Sequence, residues 1–140
     1  MRMSTIPGAS EQRLGIGVKF LKFSVVGATG VVVNTLALFL LYQMAGLPLL
    51  VASPLAIELS IANNFLLNDR WTFQQNGHSV VRFLKFNLVS LGGLVIAAGT
   101  LYALVELEGV HYLLANLVGI GLATMWNFLV NFVWTWRQDR

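Results

Sequence analysis

No charged residue occurs between Phe23 and Ile57, between Phe86 and Val105, or between Tyr112 and Trp136. A helix needs roughly 20 mostly apolar residues to cross the hydrocarbon of a bilayer, so runs of this length point to spanning helices. Gly46-Leu47-Pro48 divides the first run, and Glu106–His111 separates the last two. Four transmembrane helices are therefore expected, near positions 20–43, 50–69, 86–105 and 112–136. With 56% hydrophobic and 11% charged residues and a mean hydropathy of +0.72, 140 residues hold too little polar surface to cover a soluble globule. The absence of cysteine removes disulfides and thiolate metal sites from consideration.

The four runs form two tandem hairpins. Laying 20–73 over 83–136 without a gap gives identity at 20 of 54 positions. Phe20-Leu21-Lys22-Phe23 falls on Phe83-Leu84-Lys85-Phe86, Gly30 on Gly93, Gly46 on Gly109, and Asn64-Phe65-Leu66-Leu67-Asn68 on Asn127-Phe128-Leu129-Val130-Asn131. Each repeat holds two spans, so both must point the same way across the membrane, related by an axis along its normal. The fold class expected is an all-α membrane protein of two parallel-oriented helical hairpin repeats.

Charge sets the orientation. Arg2, Arg13, Lys19 and Lys22 precede the first span, Arg70, Arg82 and Lys85 flank the central loop, and Arg137 and Arg140 follow the last span. The turns at the opposite end carry only Glu106, Glu108 and His111. By the positive-inside rule both termini and the central loop are expected in the cytoplasm. Residues 1–18 contain no apolar core of signal-peptide length, so they are expected to be an exposed cytoplasmic tail on a single membrane domain over 19–137. The net charge of +3 reflects this topology and is not taken as a sign of nucleic-acid binding.

Four groups of residues could carry function. Lys22 and Lys85 each stand in the first turn of a span, where the helix dipole already favours an anion. They would hold lipid phosphates or act as snorkelling anchors. Asn64, Asn68 and Trp71, and likewise Asn127, Asn131 and Trp134, recur at i, i+4 and i+7 and would share one helix face, extended on the last span by Asn116. Such amides could hold helices together, or could form a polar track for a sugar headgroup, since an amide donates and accepts without carrying charge. Glu58 is the acidic residue near the middle of a span, with Asn34 at similar depth as a candidate partner, and its counterpart in the second repeat is Gly121. Small residues at 27, 30, 34 and 37 (Gly, Gly, Asn, Ala) and at 90, 93, 97 and 100 (Ser, Gly, Ala, Thr) predict close helix packing at a seam between repeats or subunits. No phosphate loop, zinc-type His/Glu spacing or nucleophile triad is present, so neither catalysis nor a cofactor is expected.

Two hairpins that open on Phe-x-Lys-Phe-like entries and close on Asn-Phe-x-x-Asn-x-x-Trp-x-Phe-like exits resemble the GtrA-like family of small four-helix bacterial membrane proteins, over about residues 18–137. The second exit departs from the pattern, reading Asn131-Phe132-Val133-Trp134 where the first reads Asn68-Asp69-Arg70-Trp71. The resemblance implies movement of a polyprenyl-phosphate-linked sugar, such as undecaprenyl phosphate glucose, from the cytoplasmic to the outer leaflet of the bacterial cytoplasmic membrane. There a glycosyltransferase would use it to decorate a surface polysaccharide such as O antigen. In that scheme Lys22, Arg70, Arg82 and Lys85 capture the phosphate, Asn64, Asn68, Asn127, Asn131 and Asn116 guide the sugar, and Glu58 with Asn34 gates passage. The partners implied are the lipid itself, a polyprenyl-phosphate glycosyltransferase that loads it, and further copies of the chain in a homo-oligomer. Two other readings are a non-transporting scaffold or activator of that glycosyltransferase and, against the charge bias, a small-multidrug-type exporter.

Overall fold

A computed structural model describes the backbone of residues 9–137 and the side chains from residue 15 onward. Arg2, Arg140 and the side chain of Arg13 lie outside what it describes. Within it the chain is all helical. Helix α1 (Ala9–Leu38) runs on into a wide π-type turn at Phe39–Met44, and α2 (Leu49–Leu67) into a second at Asn68–Thr72. Then α3 (Val80–Tyr102) runs into Ala103–Leu107, and α4 (Tyr112–Val130) into Asn131–Thr135. All four helices are long and apolar enough to cross a membrane, as Gly15–Met44, Leu49–Thr72, Val80–Leu107 and Tyr112–Thr135. Helix α1 is already formed at Ala9, the first described residue, rather than starting near position 20; no proline interrupts Ala9–Val18, and the helix accommodates Gly15 and Gly17. Half of the segment expected to be a tail is therefore helical.

Apolar side chains face outward on every helix, among them Leu50 at 90%, Val95 at 72% and Leu117 at 66% exposure. In water this surface would aggregate. In lipid it is the solvated surface, and helices that close their own backbone hydrogen bonds are the structures that tolerate it.

The two distal turns share one device. Gly46 and Gly109 take positive φ (71° and 67°) just past the helix ends, and Leu47 N–H and Val110 N–H reach back to the carbonyls of Leu41 (3.0 Å) and Leu104 (2.8 Å). This left-handed cap satisfies carbonyls that the helix end leaves open, and glycine takes the conformation without a Cβ clash.

Helix α1 packs along α2 and α3 along α4, while the hairpins touch one another sparingly, through α2 against α3 and α1 against α4. The small-residue faces work inside each hairpin. Gly30 lies against the side chain of Asn64, Gly93 against Asn127, and the Cα of Gly119 against the carbonyl of Ala97. The expected seam between repeats is thus a seam within them, because the sites of closest backbone approach join the two helices of one hairpin. A Cβ on Gly119 would sit 2.9 Å from the Ala97 oxygen, a backbone atom that cannot rotate away. Gly119→Val is expected to lower stability by about 1–3 kcal/mol, the usual cost of overpacking. Gly99→Ala, where a Cβ meets nothing within 4 Å, should be neutral or slightly stabilising. Thermal unfolding of both variants in detergent checks the contrast.

What joins the hairpins is an aromatic cluster at the basic end. Phe73 and Trp136, equivalent positions of the two repeats, stack face to face with centroids 4.2 Å apart and planes 7° apart. Around them the contacts come in matched pairs shifted by 63 positions. Phe20 meets Phe128 at 5.2 Å and Phe83 meets Phe65 at 5.3 Å, while Phe23 meets Phe128 at 5.6 Å and Phe86 meets Phe65 at 5.9 Å. The beginnings of α1 and α3 and the ends of α2 and α4 therefore share one end of the bundle.

Candidate functional site

Tight packing within hairpins and sparse packing between them leaves a cavity of about 880 Å³ along the bundle axis, resting on the aromatic cluster. Its amides come from Asn34, Asn64, Asn68 and Asn127 and its hydroxyls from Ser24, Ser60, Ser90 and Thr124, on an otherwise apolar lining. No ionisable side chain among the described residues lines it. The amides are fixed from behind. Asn68 Oδ1 accepts from Thr72 Oγ1 (2.8 Å) and Asn64 Oδ1 from Asn63 Nδ2 (3.4 Å), while the hydroxyl of Ser60 donates to the Gly30 carbonyl (2.8 Å). Asn127 differs, since its Oδ1 is buried and has no hydrogen-bond partner. Leaving such an acceptor unmet costs about 1–3 kcal/mol; the atom is packed onto Gly93, where a Cβ would sit 2.6 Å from it.

Three of the five asparagines expected in a polar track are here: Asn64, Asn68 and Asn127. Asn131 and Asn116 are not. Asn131 is wholly buried and spends its side chain on its own helix, donating to the Asn127 carbonyl (2.7 Å) and accepting from Thr135 Oγ1 (2.6 Å). Asn116 lies exposed near the start of α4, outside the cavity wall. The reason the i, i+4, i+7 face does not hold together is the π-type turn. In each exit a hydrogen bond skips five residues, Phe73 N–H to Asn68 O (2.8 Å) and Trp136 N–H to Asn131 O (3.0 Å). The added residue rotates the following face. Trp71 and Trp134 consequently point outward at 46% and 41% exposure, while Asp69 and Thr72 turn in.

The gate expected between Glu58 and Asn34 does not form. Glu58 is exposed on the outer side of α2, and Asn87 of α3 places its Nδ2 2.9 Å from both carboxylate oxygens. Asn34 instead lines the cavity. A carboxylate at this depth needs a donor, and the neighbouring helix supplies one across the α2–α3 gap.

The four basic residues assigned to phosphate do not converge either. Lys22 Nζ lies over the Trp71 ring (5.2 Å) and Lys85 Nζ over Trp134 (5.3 Å), one clamp per hairpin. Arg70 lines a separate polar pocket of about 340 Å³ in the central loop, with Gln75 and His78. Arg82 is committed to Asp69, donating from Nε to Oδ1 (2.9 Å) and from Nη2 to Oδ2 (3.2 Å). Each lysine clamp is worth about 0.5–1 kcal/mol at a partly exposed site. Trp71→Leu and Trp134→Leu are accordingly expected to cost that much each in thermal unfolding, and to do so additively, since they sit on different hairpins.

Asp69, to which the sequence alone assigns no role, is the centre of the basic end. The charged pair Asp69-Arg70 marks the first exit off from the second, and the Asp69 side chain is fully enclosed. It accepts from Arg82, from the Trp136 indole N–H (2.7 Å to Oδ1) and meets His78 Nδ1 (3.0 Å to Oδ2). One carboxylate thereby ties the end of α2, the start of α3 and the end of α4. The pairing has a counterpart in the other half. Lys19 occupies the position equivalent to Arg82, Phe132 the position equivalent to Asp69, and Lys19 Nζ stands 5.6 Å from the centre of the Phe132 ring. The available signal was the lone Asp where the second repeat has Phe, together with Lys19 and Arg82 lying one position outside the aligned repeats.

A membrane bundle of two hairpins around an amide-lined cavity is matched by the family model for the GtrA/DPMS transmembrane domain, over residues 22–136. The chain belongs to that family. A relative of this GtrA/DPMS domain is a dolichol-phosphate mannosyltransferase of Pyrococcus furiosus, 42% identical over 120 residues. The match takes in 84% of this chain and 34% of that protein, so the chain spans about a third of its relative's length. The GtrA/DPMS match begins at Lys22 and ends at Trp136, enclosing both hairpins and both lysine clamps.

Proposed function

We propose that this multi-pass membrane protein carries a polyprenyl-phosphate-linked sugar, such as undecaprenyl phosphate glucose, across the bacterial cytoplasmic membrane, with its basic end and both termini cytoplasmic. The observation that carries the reading is the cavity: about 880 Å³, largely apolar, with neutral amides and hydroxyls as its polar groups and no ionisable side chain among the described residues. Neutral donors and acceptors match sugar hydroxyls and avoid the cost of a buried charge. The name of the mannosyltransferase relative supports a lipid-phosphate sugar as the cargo class. Lys22 and Lys85, held at the ring faces of Trp71 and Trp134, and the exposed Arg70 attract the phosphate at the basic end. Arg82 plays no direct part while Asp69 holds it.

A second reading draws on the same relative, whose length is about three times that of the matched part. In it the chain is the membrane platform of a separate polyprenyl-phosphate glycosyltransferase and moves no lipid. Neither reading makes the chain itself an enzyme. Reconstituting the purified protein in liposomes with a labelled polyprenyl-phosphate glucose decides between them. Leaflet exchange faster than in empty liposomes supports transport. Exchange at the empty-liposome rate, with a co-reconstituted glycosyltransferase still activated, supports the platform.

A further inference from the structure

The two hairpins leave two lateral gaps, α2–α3 and α1–α4, which are equivalent by the repeat but are not built alike. Across α2–α3, Glu58 and Asn87 are hydrogen bonded. The equivalent pair across α1–α4 is Gly121 and Ser24. Gly121 has no side chain, and Ser24 turns its hydroxyl back to the Phe20 carbonyl of its own helix (2.9 Å). No bond spans that gap at this level among the described residues. The cavity wall records the difference. Ser24, Ala28, Gly121 and Met125 line it on the α1–α4 side, whereas their equivalents Asn87, Leu91, Glu58 and Ala62 do not line it on the other.

We propose that the cavity has one lateral portal, between α1 and α4, and that it admits the isoprenoid chain of a lipid whose polar head occupies the amide-lined interior. This rests on the transport reading above and specifies the route taken by its cargo. The portal is bordered by Ala28, Val31, Gly121 and Met125, apolar or side-chain-free residues exposed on the lipid-facing surface. Its one hydroxyl, on Ser24, is already satisfied. What enters from hydrocarbon through such an opening is apolar, while the amides behind it take a polar head, so the occupant joins both parts in one molecule. On the far side the Glu58–Asn87 bridge bars the same passage and presents a carboxylate that an isoprenoid chain has no means to solvate. The absence of a side chain at position 121, the break in the repeat, is what makes the two gaps unequal.

The test places p-benzoylphenylalanine at Ala28 or at the equivalent Leu91 in the full chain, reconstituted with undecaprenyl phosphate glucose and irradiated. Labelling of the polyprenyl lipid at Ala28 in clear excess over Leu91, suppressed by unlabelled lipid, is the expected result. Equal labelling, or labelling favouring Leu91, overturns the portal and leaves the transport reading standing. No competable labelling at either position overturns both. A second measurement moves the closure itself. A Cβ on Gly121 meets nothing within 4 Å, so Ser24→Asn with Gly121→Glu has room to reproduce the Asn87–Glu58 bridge. Leaflet exchange by that double variant should fall about tenfold, the effect of one or two added hydrogen bonds that must break at each passage. Glu58→Gly with Asn87→Ser should leave exchange intact. Unchanged exchange in the transplanted variant overturns the portal.

Discussion

Replacing Asp69 by alanine should destabilise the bundle by about 3 kcal/mol, the largest stability loss expected for a single substitution here. Removing one partner of an enclosed ion pair strands the other, at a cost of about 3–5 kcal/mol when both are deeply buried. The low end applies because Arg82 keeps partial contact with solvent and retains its bond to the Gly77 carbonyl (2.6 Å). The Trp136 indole N–H also loses its acceptor, in the middle of the stack that joins the hairpins. Asp69→Asn keeps the shape and some acceptor capacity, so its loss should be about half as large. A double-mutant cycle with Arg82→Ala separates the ion pair from the rest. The two losses should fall well short of additive, because either change alone breaks the same contact. Unfolding in detergent followed by circular dichroism provides the values, and simple additivity would show that Asp69 and Arg82 act apart.

The largest expected effect on transport comes from the amides. Asn64→Leu together with Asn127→Leu keeps the branched shape and heavy-atom count of the side chain, though not its full volume, while removing hydrogen-bonding groups from both walls of the cavity. If each amide contributes one bond to the cargo in passage, at about 1 kcal/mol each, exchange of a polyprenyl-phosphate sugar should slow by about thirtyfold. Stability should move the other way at Asn127, whose unmet Oδ1 is a cost in the empty protein. Loss of exchange with equal or raised thermal stability is therefore the signature of a headgroup site. Lower stability with unchanged exchange would mark the asparagines as struts between helices, and would favour the platform reading.

The sequence makes part of this site legible, and the helix faces it does not predict lie past one local feature. The faces of α2 and α4 are readable from spacing as far as Asn64 and Asn127, which face Gly30 and Gly93 at equivalent positions. Beyond Asn68 and Asn131 the helices widen into π-type turns, and a rule of 3.6 residues per turn then points to the wrong side. By that rule Trp71 shares the face of Asn64 and Asn68, yet it points outward, and Asp69 is the residue enclosed. Glu58 was correctly singled out as a membrane carboxylate, but depth alone offered Asn34 as its partner. Asn87, at the equivalent of Ser24, was the residue within reach.

By itself the sequence determined that the chain is a bundle of four spanning helices, with aromatic and basic residues gathered at one end. Lipid admits only segments that satisfy their own backbone, and uncharged runs of sufficient length leave a chain no other choice. It also exposed two of the charge differences between the repeats, Asp69 against Phe132 and Glu58 against Gly121. What those differences do was decided by the tertiary structure. Whether a charge closes a gap, ties two hairpins or meets a ligand depends on which helix stands opposite, and that follows from the packing of glycines within each hairpin and of Phe73 on Trp136 between them. The first asymmetry became the tie at the basic end, and the second left one side of the cavity shut and the other open to lipid.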